Sequence, residues 1–206
     1  MIYLTLVTAL ITLIFNTIFH WLKNKFDWFT DKKKFQREYF YSQLRELYLP
    51  LYAIVAQSEY LRKFHHLDHI PFNEIPFVEI KKERTSSRFD MKNGKFEREK
   101  VDIEDVITEF NKEEIIKRVI DKSEFASQEL LKLAVAYRYV HKHYQDETII
   151  KEQLDKYQTQ ELELIKRIVK KIVHETNYKL KFCHMEYNKD ELKKSIMLYD
   201  INNNLK

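Results

Sequence analysis

The chain has 206 residues, a formal net charge of +4, one glycine, three prolines and one cysteine. Average usage would supply about 14 glycines, so Rossmann fingerprints, P-loops and nucleophile elbows are excluded, because each needs glycine where backbone turns tightly or approaches a ligand. The single Cys183 excludes an intrachain disulfide and agrees with a reducing compartment.

Residues 1–22, MIYLTLVTALITLIFNTIFHWL, hold no charged side chain. At about 1.5 Å per residue they make a helix of about 33 Å, enough for a hydrocarbon core of about 30 Å. No basic residue precedes the run, and Phe19-His20-Trp21-Leu22 offers no small-residue cleavage site. An uncleaved anchor is therefore expected rather than a signal peptide. Lys23, Lys25, Lys32, Lys33, Lys34 and Arg37 follow it. Basic flanks stay cytoplasmic, so a single-pass protein of the cell membrane is expected, N-terminus outside and body inside. Trp21 and Trp28 suit the interfacial belt.

Thr8, Thr12, Asn16 and His20 recur every four residues, which confines them to an arc of about 120°. They are candidates for helix association, with Asn16 bonding across helices. Two other readings stay open: threonines bonded to their own backbone, or the lining of a multimeric pore.

Thr30 reads as the cap of a helix from Asp31 to about Phe64. Phe35, Tyr39, Leu44, Leu47, Tyr48, Leu51, Tyr52 and Val55 give its apolar face. Pro50 should kink or divide it. The following stretch reads as irregular, with Pro71 and Pro76 bounding a short extended piece. Asn93-Gly94 is the strongest hairpin signal in the chain. A two-residue turn there sets Met91 opposite Phe96, and also Lys92 opposite Lys95 and Asp90 opposite Glu97, which repel. An exposed hairpin inserted at about 81–100 is the expectation.

Helices resume near Ile103. Ile115, Ile116, Val119 and Ile120 form one stripe. Ser123 reads as the cap of a helix through Tyr144, with Leu130, Ala134, Tyr137, His141 and Tyr144 on one face. A longer helix runs from about Glu147 to Lys179, patterned by Ile165, Ile168, Val169, Ile172 and Val173, and a short one follows Asn188. The expected fold class is all-α: an N-terminal transmembrane helix (1–22), then a cytoplasmic helical bundle (23–206) with one exposed β-hairpin.

Residues 23–64 carry nine basic and five acidic groups, and residues 81–100 carry eight and four, so each block nets +4. Lys32, Lys33, Lys34, Arg37, Lys81, Lys82, Arg84, Arg88, Lys92 and Lys95 are candidates for contact with an anionic surface, lipid or nucleic acid. A solvated loop is the plain account of the second block. His65 and His69 are the candidate metal ligands, because i,i+4 spacing on a helix places two imidazoles on one face. Asp68 is a further oxygen donor nearby. No Glu occupies the HExxH position, and Pro71 argues that the helix has already ended. His141 and His143 stand about 200° apart on a helix and cannot share an ion. No catalytic set is evident, and neither a cofactor nor a small-molecule substrate is expected.

The layout joins an apolar N-terminal segment, a basic juxtamembrane stretch and the Tyr/Leu-rich helices ELYLPLYAIV and ELLKLAVAYRYV. It resembles small single-pass membrane-anchored helical proteins of unknown function from AT-rich bacteria and their prophages. Some proteins of that style act in phage exclusion or abortive infection, and the resemblance implies that setting here. The leading functional expectation is a membrane-tethered interaction or effector module that binds a protein partner or itself. The alternatives are a membrane-tethered nucleic-acid binder using the 81–100 block and a metal-dependent hydrolase centred on His65 and His69.

Overall fold

The computed structural model describes residues 2–80, 83–90, 95–102, 106–144 and 151–198. Two compact units divide the chain, Met1–Tyr41 and Ser42–Lys206; from sequence the division was expected after residue 22.

The first unit is helical throughout its described length. Helix α1 (Ile2–Gln43) runs through the expected boundary at Thr30 without a break. Thr30 does not cap a new helix. Its Oγ1 donates to Phe26 O at 2.8 Å, so the hydroxyl is satisfied one turn back and the helix continues.

The transmembrane expectation is corrected. Among the described residues no helix is long and apolar enough to cross a membrane.

In the second unit a π-helical turn (Leu44–Tyr48) leads into α2 (Leu49–Phe64). Pro50 explains the turn. It lacks an N–H, and its ring crowds the carbonyl one turn earlier. Widening that turn, so that Leu49 N bonds Leu44 O five residues back, admits the ring without breaking the chain's course.

Beyond the loop lie β1 (Glu83–Asp90) and β2 (Lys95–Asp102), paired antiparallel. The expected strand register is corrected here too. Phe89, not Met91, lies opposite Phe96, Arg88 lies opposite Glu97, and Asp90 lies opposite Lys95. The register is two residues away from the expected one. The register partners that replace the two expected like-charged pairs are oppositely charged, while Glu83 and Asp102 become a like-charged pair. Asn93 and Gly94, which suggested the tight turn, lie outside the described residues.

The remaining helices are α3 (Val106–Glu109), α4 (Lys112–Asp121), α5 (Gln128–Tyr144), α6 (Lys151–Phe182) and α7 (Lys189–Lys194). A 3₁₀ turn (Ser123–Phe125) precedes α5. The cap of α5 is Ser127, whose Oγ accepts from Leu130 N at 3.3 Å, rather than Ser123.

These helices form a bundle around α6, which packs against α2, α5, α7 and the π-helical turn. Its stripe Ile165, Ile168, Val169, Ile172 and Val173 is buried, against Leu44, Leu47, Leu51, Ile54, Ile115, Val119 and Leu130. Phe35 and Tyr39, expected on that apolar face, are exposed.

Polar groups inside the bundle are paired in clusters. The Tyr48 hydroxyl donates to Glu175 and accepts from Ser127 N at 3.1 Å. Lys179 Nζ lies 3.6 Å from Glu175 and 4.0 Å above the Tyr48 ring, while Lys171 Nζ approaches the other carboxylate oxygen at 3.2 Å. Burial holds the Lys179 ammonium below its usual pKa and, with Glu175, pushes Tyr48 above its own. Tyr48 is thereby kept as a donor.

Candidate functional site

The chemistry-bearing features fall in three places. The first is the surface of α1. Its apolar side chains from Leu10 onward are exposed, among them Leu13 at 68%, Phe15 at 69%, Phe19 at 64% and Phe26 at 70%. Of the proposed association stripe, Thr12, Asn16 and His20 are exposed on this helix, and the side chain of Thr8 lies outside the described set. The His20 ring meets Phe19 edge-on, with centroids 6.4 Å apart. A neighbouring threonine, Thr17, bonds Leu13 O at 2.8 Å.

Lys32, Lys33, Lys34 and Arg37 follow on the same helix. Lys25 Nζ stands 3.9 Å from the Trp21 centroid, Lys32 Nζ 5.2 Å from that of Trp28, and Lys33 Nζ 6.0 Å from that of Phe29. Each cation sits over an aromatic ring one turn earlier, at cation–π distance.

The second place is the end of α2. The helix stops at Phe64, so His65 is the C-cap and does not share a helical face with His69. His66 N bonds Lys63 O at 3.0 Å, and Leu67 N bonds Arg62 O at 2.9 Å. This is a Schellman closure with His66 in the left-handed conformation, φ 54°. His69 Nδ1 lies 2.9 Å from His66 O. Among the described residues no group of three or more His, Cys, Asp and Glu side chains could hold a metal ion. For the strand block, Arg84 and Arg88 lie on β1 and Lys95 on β2, while Lys81, Lys82 and Lys92 lie outside the described residues.

The third place is a cavity of about 350 Å³ between α4 and α5, lined by Glu113, Ile116, Ile120, Tyr137, Arg138 and His141. Sequence reading singled out His141 only as a core residue. In the structure its two ring nitrogens face different carboxylates, Glu161 at 2.9 Å from Nδ1 and Glu113 at 3.5 Å from Nε2. The imidazole stacks on Tyr137, with centroids 5.5 Å apart, and the Tyr137 hydroxyl donates to the same Glu161 oxygen at 2.8 Å. Burial first, then this bond, pushes the Tyr137 hydroxyl far above its usual pKa.

Glu113 comes from α4, Tyr137 and His141 from α5, and Glu161 from α6, so the cluster clamps three helices. Both imidazole nitrogens are taken up by carboxylates. Helical spacing does reveal one half of the cluster, since Tyr137 and His141 are i,i+4. Glu161 is joined only by folding.

No family model, curated protein or solved structure matches this chain.

Proposed function

We propose that the chain is a membrane-associated interaction module on the cytoplasmic face of the cell membrane, whose helical unit binds a protein partner or a second copy of itself. The observation that carries this reading is the exposed apolar surface of α1. Soluble monomers rarely leave contiguous apolar patches larger than a few hundred Å² in water. A helix with exposed apolar side chains that does not qualify as a span belongs to the class that lies at a membrane interface, and the basic residues that follow it favour the anionic cytoplasmic leaflet.

Exposed Thr12, Asn16 and His20 supply polar contacts for self-association within that environment. The setting we assign, phage exclusion or abortive infection, rests on the resemblance of the layout alone.

The test is fractionation of cells expressing the full chain. The wild type should pellet with membranes, and Phe15→Ser with Phe19→Ser should move it to the supernatant with an unchanged helical circular-dichroism spectrum. A wild type found wholly in the supernatant would end the reading. Asn16→Leu should weaken crosslinking between copies at the membrane.

A further inference from the structure

We propose that residues 21–37 form an aromatic ladder interleaved with lysines that lies along a bilayer surface rich in anionic phospholipid. This rests on the membrane association proposed above and adds which face of α1 meets the lipid and which headgroup chemistry it selects.

The argument begins with helical geometry. At about 100° per residue, Trp21, Leu22, Phe26, Trp28, Phe29 and Phe35 fall within one half of the helix circumference. Lys25, Lys32 and Lys33 fall in that same half. The acids of this stretch, Asp27, Asp31 and Glu38, fall within about 40° of one another on the opposite side. Lys23, Lys34 and Arg37 fall outside that half, so the rings share their face with three of the six cations of the stretch and with none of its carboxylates.

The side chains support the same reading. Trp21 is 57% exposed, Phe26 70%, Trp28 60% and Phe29 56%. Each of the three lysines lies over the ring one turn earlier, at 3.9, 5.2 and 6.0 Å from the centroids. This is the arrangement in which a ring sits at headgroup depth and a lysine stem runs along it, holding the ammonium level with phosphate.

A nucleic acid could also stack on such rings. The ladder, however, continues the uncharged run of residues 2–22 on the same helix. A polyphosphate strand has nothing to bury against that run, whereas acyl chains do. The occupant is therefore a lipid surface, with negative charge supplied by its headgroups.

The two tryptophans of the chain are both on the ladder, so fluorescence of the full-length protein excited beyond tyrosine absorption reads this segment alone. The protein is mixed with vesicles of phosphatidylcholine, or of phosphatidylcholine with phosphatidylglycerol, and recovered by flotation. Binding should occur on both and be tighter on the anionic vesicles, with a blue shift of tryptophan emission.

The triple variant Lys25→Gln, Lys32→Gln, Lys33→Gln should bind anionic vesicles about a hundredfold less tightly, about fivefold per lysine. Its binding to neutral vesicles should not change. Asp27→Asn with Asp31→Asn, on the far side, should not weaken binding. If the triple variant matches the wild type on anionic vesicles, or emission stays unshifted while the protein floats, the ladder is overturned and membrane association stands. Absence of flotation on either vesicle overturns both.

Discussion

Glu191 ties the short helix α7 to the bundle, and replacing it with glutamine isolates what that tie is worth. The residue is 2% exposed. Its Oε2 accepts from the Tyr52 hydroxyl at 2.6 Å and from Asn177 Nδ2 at 2.9 Å. Its Oε1 accepts from Leu198 N at 3.0 Å. All three partners are donors. Burial, then the bond to Glu191, pushes the Tyr52 hydroxyl above its usual pKa, so it stays protonated.

Glutamine has the same shape but only one acceptor oxygen. With that oxygen facing Tyr52 and Asn177, its NH₂ confronts Leu198 N, donor against donor. With the amide turned over, two donors are orphaned instead. The better arrangement costs about one buried unsatisfied group plus the loss of charge assistance, about 2–3 kcal/mol in all. For a unit of this size that corresponds to a fall in Tm of roughly 4–12 °C.

The assay is denaturant unfolding of the full chain in mild detergent, followed by circular dichroism. Glu191→Ala should cost more, because every donor then loses its partner. A Glu191→Gln change below about 0.5 kcal/mol would refute the donor count, since surface substitutions away from such features fall in that range.

Two further outcomes are expected. His66 and His184 hold φ of 54° and 59° at the ends of α2 and α6; His66→Gly and His184→Gly should each stabilise the unit by about 0.5–1 kcal/mol in the same assay, the relief of left-handed strain exceeding the greater entropy of unfolded glycine. Burial raises the Glu59 carboxyl above its ordinary value, against the opposing pull of Arg62. Its contribution is thus fully present below the unfolded value of 4.5 and is lost as pH rises through the raised folded value. Stability of Glu59→Gln relative to wild type should therefore increase from pH 4 to pH 7, and a fall over that range would show that Arg62 governs the site.

Much of the bundle was legible because its signal is local. The stripe of Ile165, Ile168, Val169, Ile172 and Val173 repeats at helical period, and every member is buried. The Asn188 cap was read from its position, and its Oδ1 accepts from Asp190 N and Glu191 N. Boundaries were less legible where a polar residue has two uses. Thr30 serves inside a helix as readily as at its start, and Ser123 and Ser127 compete for one cap.

Strand register was missed for a related reason. The Asn-Gly dipeptide suggests a tight turn by itself, yet the observed register sets two oppositely charged pairs, Arg88 with Glu97 and Asp90 with Lys95, where the tight turn would set like charges. The His141 clamp was legible only in its Tyr137–His141 half, because Glu113 and Glu161 lie 28 and 20 positions away from His141 in the chain.

The contrast between the two units bears on function. In the bundle, polar side chains are taken up by one another: Tyr48 and Lys179 by Glu175, Tyr52 and Asn177 by Glu191, and Tyr137 and His141 by Glu161. Each carboxylate is shared by at least two partners, and such sharing fixes helix register. Helix α1 shows the opposite economy. Its large apolar groups are exposed, and its lysines are arranged on rings rather than on carboxylates. A chain that pairs most of its buried polar groups and leaves the large apolar groups of one helix exposed concentrates its capacity for association on that helix. Substitutions in the bundle should therefore register as stability, and those along α1 as location.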